Sequence, residues 1–412
     1  MLRGACLGLL AITATACASS SRANSSTSTA GAGGSNSGGS GGQTFDAGPP
    51  PDFSFPNITE TCPDGAGPNN TRCIPDKVLA RPGVCYSGYR NHESPGLLIY
   101  PTADEVEQDL QLVLRAGFGF IRLFDASQHA ATVLQVIHDN QLDLKVQLGI
   151  WIAGPKAKVD AANQDQITKG IALANMYPGT VVAVSVGNET LDTWSSVLTP
   201  AADLADYIKQ VRAAVTQPVT TDDMYPPFEL TGYEGVLAVA QASDYLSIHD
   251  YAALDADYSS WDFEQLQIPA GPDRAKAMMQ AAITYTKLNI KNVRAALAQS
   301  GVNLPIIIGE AGWRSRNQNP AAYAEKYYSH PVNQKLFFDG LESWVYGADR
   351  DSDSPRGAFY FEAFDEPWKG TDDAWGLFDV NRVPNYVEWG NFPDLKPAGV
   401  SYTDDDALYY TP

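Results

Sequence analysis

Short apolar runs alternate with stretches of helical periodicity along most of this chain. Runs that are largely apolar, without a polar residue at every second position, are typical of parallel strands buried on both faces. Eight strand–helix units in about 290 residues predict a closed (β/α)8 TIM barrel. The predicted strands are 83–89, 118–124, 142–151, 181–186, 218–222, 245–251, 304–308 and 357–364.

A doubly wound open sheet is the alternative arrangement of the same units. A nucleotide-binding version would carry a glycine-rich G-x-G-x-x-G turn after its first strand or a phosphate-binding loop. The sequence has neither. The barrel is therefore the favoured fold.

The first 50 residues have the composition of an export signal followed by a tether. Arg3 precedes an apolar run at 5–14 that is too short to span a bilayer. Ala14-Thr-Ala-Cys17 resembles a bacterial lipobox, which predicts a signal peptide at 1–16 and a lipid on Cys17. The alternative is ordinary cleavage and free secretion. Residues 17–50, rich in Ser and Gly, are expected to form a flexible linker.

The cysteines suit an exported protein. Cys62 and Cys73 lie in a Pro/Gly/Asn-rich extension at 51–80, where a disulfide between them is expected. Cys85 falls in a predicted strand and is expected to be a buried free thiol. We expect no metal site, since no Cys/His cluster with ligand spacing occurs. The catalytic domain is then predicted to span 81–412.

The formal net charge of −20 limits which kinds of macromolecule the protein can bind. Nucleic acid and anionic lipid surfaces are excluded as partners on electrostatic grounds, and the membrane is expected only through the lipid anchor. A neutral polysaccharide is not repelled.

Polar side chains follow several predicted strands at the end where TIM-barrel chemistry occurs. Glu189 ends the fourth strand and Glu310 ends the seventh, 121 positions later (310 − 189). Glycoside cleavage needs one carboxylic acid to protonate the leaving oxygen and a second carboxylate to attack or to activate water. The structural alternative is that such glutamates cap helices or pair with arginine. Sequence spacing leaves retention and inversion of configuration both open.

The motifs around these residues resemble those of glycoside hydrolase family 17, the β-1,3-glucanases. Residues 186–189 (Val-Gly-Asn-Glu) resemble that family's acid/base motif. Residues 308–313 (Ile-Gly-Glu-Ala-Gly-Trp) resemble its nucleophile motif. The likeness covers about residues 80–380 and includes its first, second and last strands, at 83–86, 121–125 and 361–378.

This resemblance implies a retaining double displacement without a cofactor, by an endo-acting glucan β-1,3-glucosidase. Glu310 is the implied nucleophile and Glu189 the implied acid/base. Asn188 would hydrogen-bond the sugar 2-hydroxyl, and Tyr86 would lie close to the nucleophile. Arg122 would orient Glu310, or alternatively form an ion pair inside the barrel.

Further residues are expected to bind substrate. Glu366 and Lys369 match a charged pair that the family places near the catalytic residues. Trp313 offers an apolar face to a sugar ring. Aromatic and histidine side chains expected to line the sugar subsites are His249, Tyr251, Trp368 and Trp375. At 250–251 the chain has Asp-Tyr where the family often has Pro and an aromatic residue. The resemblance therefore does not determine the geometry of that subsite.

Three functions remain to be separated. The first is β-1,3-glucan hydrolysis by a monomer, and the second is glucosyl transfer on the same barrel. The third is a cell-surface carbohydrate-binding lipoprotein without turnover. Loops at 252–272 and 348–356 are expected at the catalytic mouth, where they would set endo action, exo action or transfer.

Overall fold

A computed structural model describes residues 71–255, 262–317 and 328–411. Eight parallel strands form a closed barrel in chain order, so the predicted TIM barrel is confirmed. β1 pairs with β8, with Gly83 opposite Phe359, which excludes an open sheet. The strands are β1 Gly83–Cys85, β2 Phe120–Leu123, β3 Lys145–Ile150, β4 Val181–Asn188, β5 Val219–Met224, β6 Leu246–His249, β7 Ile306–Ala311 and β8 Ala358–Tyr360.

Helices follow the strands and form an outer layer. Thr102 and Glu105 make the capping box that their spacing indicates, each side chain bonding the backbone N–H of the other. Within the described ranges, no helix combines the length and apolar character needed to cross a bilayer. The helices are α1 Asp76–Leu79, α2 Ala103–Arg115, α3 Gln128–Asp139, α4 Lys156–Met176, α5 Ala201–Ala214, α6 Tyr225–Phe228, α7 Val236–Ala242, α8 Ala252–Asp255, α9 Pro272–Gln299 and α10 Pro331–Val345.

The segment before β1 packs beneath the barrel. Ile74, Val78 and Leu79 are buried in one cluster with Phe120 and Phe359, whose rings lie 4.6 Å apart. Apolar burial of this kind stabilises by roughly 1.5–3 kcal/mol per large side chain. Residues 71–80, which the sequence assigns to an N-terminal extension, are therefore continuous with the barrel core.

The described cysteines are 73 and 85. Cys85 is a fully buried free thiol, as predicted. Cys73 is disulfide-bonded. Its predicted partner Cys62 lies outside the described residues, as does Cys17, so that pairing and the lipidation of Cys17 stay predictions.

The position predicted for loop 348–356 is wrong. This loop joins α10 to β8 and therefore lies at the N-terminal ends of the strands, opposite the catalytic mouth. Arg356 pairs with Asp76 of the floor helix α1, which places the loop there directly. The segment after β6 does lie at the mouth, although residues 256–261 within it, including Trp261, are outside the described part.

Arg72 fastens the N-terminal segment to the barrel floor. Its guanidinium donates to the carbonyl oxygens of Val215 (2.7 Å), Gln217 (2.9 Å) and Arg212 (2.8 Å). Its backbone N–H donates to Asp244 Oδ1 at 2.9 Å. One side chain thus hydrogen-bonds three carbonyl oxygens in the last turn of α5 and just after it.

Replacing Arg72 by Ala should lower the free energy of unfolding by about 2–4 kcal/mol, since three partly buried carbonyl oxygens lose a charged donor. Lys209→Ala, which removes an exposed pair with Asp206, should change it by less than about 0.5 kcal/mol. Urea denaturation of both variants measures the difference. Equal small effects would show that the segment does not stabilise the barrel.

Candidate active site

The end of β4 turns sharply to present Glu189. Gly187 has φ +87° and Glu189 itself has φ +51°, in the left-handed region. Glycine adopts this region without a steric cost, whereas a glutamate there needs support from its surroundings. The Glu189 N–H donates to the Asp222 carbonyl at 2.9 Å, which fixes the turn against β5.

Glu189 and Glu310 face each other across the mouth. Donor or acceptor atoms of Glu189, His249 and Glu310 all lie within 4.8 Å of one another. Retaining glycosidases hold their carboxyl groups about 5–5.5 Å apart and inverting ones about 6.5–9.5 Å apart. At least one oxygen of each glutamate therefore lies within 4.8 Å of an oxygen of the other, which is compatible with the shorter separation of a retaining enzyme.

Arg122 lies under the nucleophile candidate and is completely buried. Its Nη1 donates to Glu310 Oε1 at 2.5 Å, and its Nε donates to Asp222 Oδ2 at 2.7 Å. Its Nη2 donates to Asn188 Oδ1. The guanidinium therefore makes both contacts that the sequence left open for Arg122: it bonds Glu310 and it forms an ion pair with Asp222 inside the barrel.

Tyr251 completes the contacts of Glu310. Its hydroxyl donates to Glu310 Oε2 at 2.5 Å, so both carboxylate oxygens accept a hydrogen bond. The Tyr251 ring is held by Trp375 at 5.2 Å and Phe361 at 5.8 Å, both in edge-on geometry. Glu310 therefore has a fixed orientation.

The surroundings shift the pKa values of the two glutamates in opposite directions. Burial raises the pKa of Glu189 and outweighs the hydrogen bond and charge of His249, which lower it, while the nearby charge of Glu310 adds to the rise. Burial alone would also raise the pKa of Glu310, but attraction from His249 and Arg122 and the Tyr251 hydrogen bond leave it lowered. Glu189 is suited to remain protonated while Glu310 is ionised.

His249 bridges the two carboxylates. Its Nδ1 lies 3.0 Å from Glu189 Oε1 and its Nε2 lies 3.6 Å from Glu310 Oε1. Burial alone would lower the pKa of His249, but the carboxylates of Glu310 and Glu189 outweigh it and raise this pKa. The prediction that His249 and Tyr251 line sugar subsites needs correction, because both rings are buried against other side chains.

Tyr86 and Trp313 do not belong to the site. Side chains alternate along β1, so Cys85 faces the barrel interior while Tyr86 points outward and donates to Asp109 Oδ2 at 3.3 Å. Trp313 is 0 % exposed and packs between Phe263 and Phe337. Both side chains are buried among other residues and are not open to solvent at the mouth.

Glu366 and Lys369 do pair, with a third member that the sequence did not suggest. Lys369 Nζ lies 2.6 Å from Glu366 and 2.6 Å from Glu362. Both glutamates are buried, and Ser87 donates to Glu366. Lys369 lies 4.4 Å over the Phe361 ring, through which this cluster adjoins Tyr251. The cluster thus supports the aromatic residues around Tyr251, and sugar contacts of Glu366 and Lys369 stay a prediction.

Two aromatic residues of the last loop differ in accessibility. Trp375 is 2 % exposed and supports Tyr251, so it offers no sugar platform. Trp368 is half-buried, with its ring 6.1 Å from Tyr89. Part of the Trp368 side chain is accessible, and its place at a sugar subsite stays a prediction.

Asp222 and Asp223, at the end of β5, are functional residues that sequence reasoning missed. Asp222 accepts from Arg122 and, at 2.9 Å, from Gln147 Nε2. Asp223 Oδ2 accepts the backbone N–H groups of Thr190 (2.8 Å) and Leu191 (3.0 Å). The sequence signal that could have identified them is a pair of adjacent acids at the end of a buried strand, whose side chains point to opposite faces of the sheet.

The described residues with atoms close enough to hold a metal ion are Glu189, His249 and Glu310. Arg122 and Tyr251 already donate to both oxygens of Glu310, which leaves that carboxylate little capacity for a cation. The arrangement suits acid/base and nucleophilic work by two carboxyl groups. The absence of a cofactor stays a prediction.

Sequence relatives point to one class of enzyme. The chain is 28 % identical over 327 residues to the "Probable glucan endo-1,3-beta-glucosidase btgC" of Aspergillus fumigatus, covering 73 % of this chain and 42 % of that protein. It is 24 % identical to "Glucan endo-1,3-beta-glucosidase 2" of Arabidopsis thaliana, covering 51 % and 47 %. The chain thus spans less than half the length of these relatives.

Solved structures share the fold. An endo-laminarinase from Formosa Hel1_33_131 superposes with a TM-score of 0.68 at 24 % identity, covering 79 % of this chain and 91 % of that one. An active-site mutant of a Rhizomucor miehei β-1,3-glucanosyltransferase, in complex with laminaritriose, gives 0.53 at 19 % identity, covering 75 % and 97 %.

The sequence model of the BtgE/BtgC glycoside hydrolase domain matches residues 83–380, from β1 to just beyond the last barrel loop. The matched region contains both glutamates and every side chain that contacts them. The chain belongs to the BtgE/BtgC glycoside hydrolase domain family, and its predicted membership of glycoside hydrolase family 17 is confirmed.

Proposed function

We propose that this protein hydrolyses β-1,3-glucosidic bonds in β-glucan with retention of configuration. Glu310 acts as the nucleophile and Glu189 as the acid/base. The observation that carries the proposal is a pair of carboxyl groups within 4.8 Å whose pKa values are shifted in opposite directions. The relatives' names, glucan endo-1,3-β-glucosidase, supply the substrate and favour endo action.

The proposed mechanism gives each step to one of the two glutamates. In the first step Glu310 attacks the anomeric carbon while Glu189 gives its proton to the leaving glucosyl oxygen. In the second step Glu189 takes a proton from water, and the water oxygen displaces Glu310 from the anomeric carbon. Glu189 has a 21 % exposed side chain and Glu310 a 6 % exposed one, which gives the acid/base the readier access to water.

Asn188 is placed to hold the sugar. Its Oδ1 accepts from Arg122, so its amide N–H groups are not used in that contact. A hydrogen bond from this amide to the sugar 2-hydroxyl would strengthen as the transition state forms. Arg122 thereby couples the orientation of Asn188 to that of Glu310.

Location and attachment are a second part of the proposal. The apolar run at 5–14 and the lipobox-like residues 14–17 support export and lipidation of Cys17. Residues 17–50 would then be a tether that lets the barrel reach polysaccharide away from the membrane. These residues lie outside the described part of the chain.

Incubation of the full chain with laminarin tests the activity. Chromatography should show progressively shorter oligosaccharides, and Glu310→Gln should lower kcat by about 10⁴-fold or more. Glu388→Gln, at a buried glutamate that contacts Asn391, should leave kcat within about 2-fold. Longer products would indicate glucosyl transfer, and unchanged sugar would indicate binding alone.

Glu189→Ala should act according to the leaving group. Hydrolysis of laminarin should slow by about 100- to 10,000-fold, because proton donation is lost. The first step on a dinitrophenyl laminaribioside needs no proton and should keep most of its rate. Added azide should restore turnover and yield a β-glycosyl azide. Equal loss on both substrates, without azide rescue, would contradict the acid/base role.

The pH profile of kcat/KM should be bell-shaped, with limbs set by the two shifts. Activity falls as pH drops through the lowered pKa of Glu310, and falls as pH rises through the raised pKa of Glu189. Tyr251→Phe removes a hydrogen bond to ionised Glu310, so only the acid limb should move to higher pH. Tyr207→Phe, on α5, serves as the control. Movement of the basic limb instead would reverse the two roles.

A further inference from the structure

We infer that Asp250 is a positioning residue that fixes His249 and Tyr251 on the catalytic glutamates by anchoring the end of β6 to α9. The inference rests on the proposed function for its kinetic consequence. Its structural basis is a buried acid that contacts neither glutamate through its side chain.

Side chains alternate at the end of β6. His249 and Tyr251 point inward and contact Glu189 and Glu310, while Asp250 between them points outward. The backbone N–H of Asp250 donates to the Glu310 carbonyl at 2.9 Å. The three consecutive residues therefore meet the nucleophile through main chain and through side chains.

Two side chains of α9 hold Asp250. Thr286 Oγ1 donates to Oδ1 at 3.0 Å, and Asn289 Nδ2 donates to Oδ2 at 2.9 Å. Thr286 and Asn289 are three residues apart and so share a helix face. α9 has 28 residues with a row buried against the barrel, including Met279 and Ile283. The helix is thus a stable support for the strand end.

The cost of this contact suggests a role beyond packing. Asp250 is 0 % exposed and its two side-chain partners are neutral. Burial, aided by the nearby charge of Asp255, raises the pKa of Asp250 to about 7. A buried acid without a cation is unfavourable compared with an apolar side chain at the same place. The two hydrogen bonds give what apolar packing lacks, a fixed direction for the backbone that carries His249 and Tyr251.

Loss of the anchor should reach Glu310 through these two neighbours. The titratable groups facing Glu310 are Arg122 from β2, Glu189 from β4, Cys85 from β1, and His249 and Tyr251 from β6. Only the last two depend on Asp250. If they move, Glu310 loses the Tyr251 hydrogen bond and the nearby His249, and its pKa rises.

The test compares acids at the two ends of β6. Asp250→Ala should lower kcat on laminari-oligosaccharides by about 10- to 100-fold with little change in KM, since small misplacement of catalytic groups has effects of this size. The acid limb of its pH profile should move to higher pH. Asp250→Asn, which can still bond both partners, should restore most of kcat. Asp244→Ala removes an equally buried acid before β6 that pairs with Arg212, and should lower Tm while kcat stays within about 2-fold.

A measurement without substrate separates this inference from the proposed function. The Glu310 carboxyl pKa, read by ¹³C NMR titration, should be higher in Asp250→Ala than in the wild type and unchanged in Asp244→Ala. An unchanged Glu310 pKa in Asp250→Ala would overturn the inference, even if laminarin is cleaved. A wild type inactive on laminarin would overturn the function only. If Asp250→Ala does not fold, Asn289→Ala removes the anchor from the helix side and is read in the same way.

Discussion

The buried guanidinium of Arg122 is the interaction on which the site depends. It rises from β2 and meets Asn188 on β4, Asp222 on β5 and Glu310 on β7. Arg122 is fully buried, so its charge must be compensated by ion pairs and hydrogen bonds. Removing one partner of a buried ion pair costs about 3–5 kcal/mol. Closure of the barrel brings β4, β5 and β7 to the guanidinium that β2 carries. The contacts that satisfy this buried charge are therefore also the contacts that form the site.

This arrangement also makes the two glutamates unequal. Glu310 receives Arg122 and the Tyr251 hydroxyl on separate oxygens, whereas Glu189 receives His249 on a turn that Asp223 holds from behind. Cationic and hydroxyl donors stabilise the ionised form, and burial favours the neutral form. The same barrel mouth can therefore keep one carboxyl charged and another protonated. Neither glutamate needs a special property of its own.

Sequence periodicity predicted the barrel and the order of its elements well, because buried parallel strands and amphipathic helices have different apolar patterns. The motifs around Glu189 and Glu310 placed both residues at strand ends that meet. Orientation beyond a strand end was less predictable. Trp313 and Tyr86 face the helix layer instead of the mouth. Loop 348–356 lies at the floor of the barrel because it follows helix α10 and precedes strand β8. Asp222 and Asp223 carry no motif, and Glu362 lies in one without a role assigned to it, so only the packed barrel shows which groups these acids contact.

Trapping of the glycosyl-enzyme tests the central claim most directly. A 2-fluoro laminaribiosyl donor with a good leaving group slows both steps but releases the intermediate more slowly than it forms, so mass spectrometry can detect the adduct. We expect one added 2-fluoro laminaribiosyl group, two sugar units, per chain, carried by a peptide that contains Glu310 and absent in Glu310→Gln. A label on Glu189 or on another residue, or steady turnover of the donor with inversion and no adduct, would contradict it.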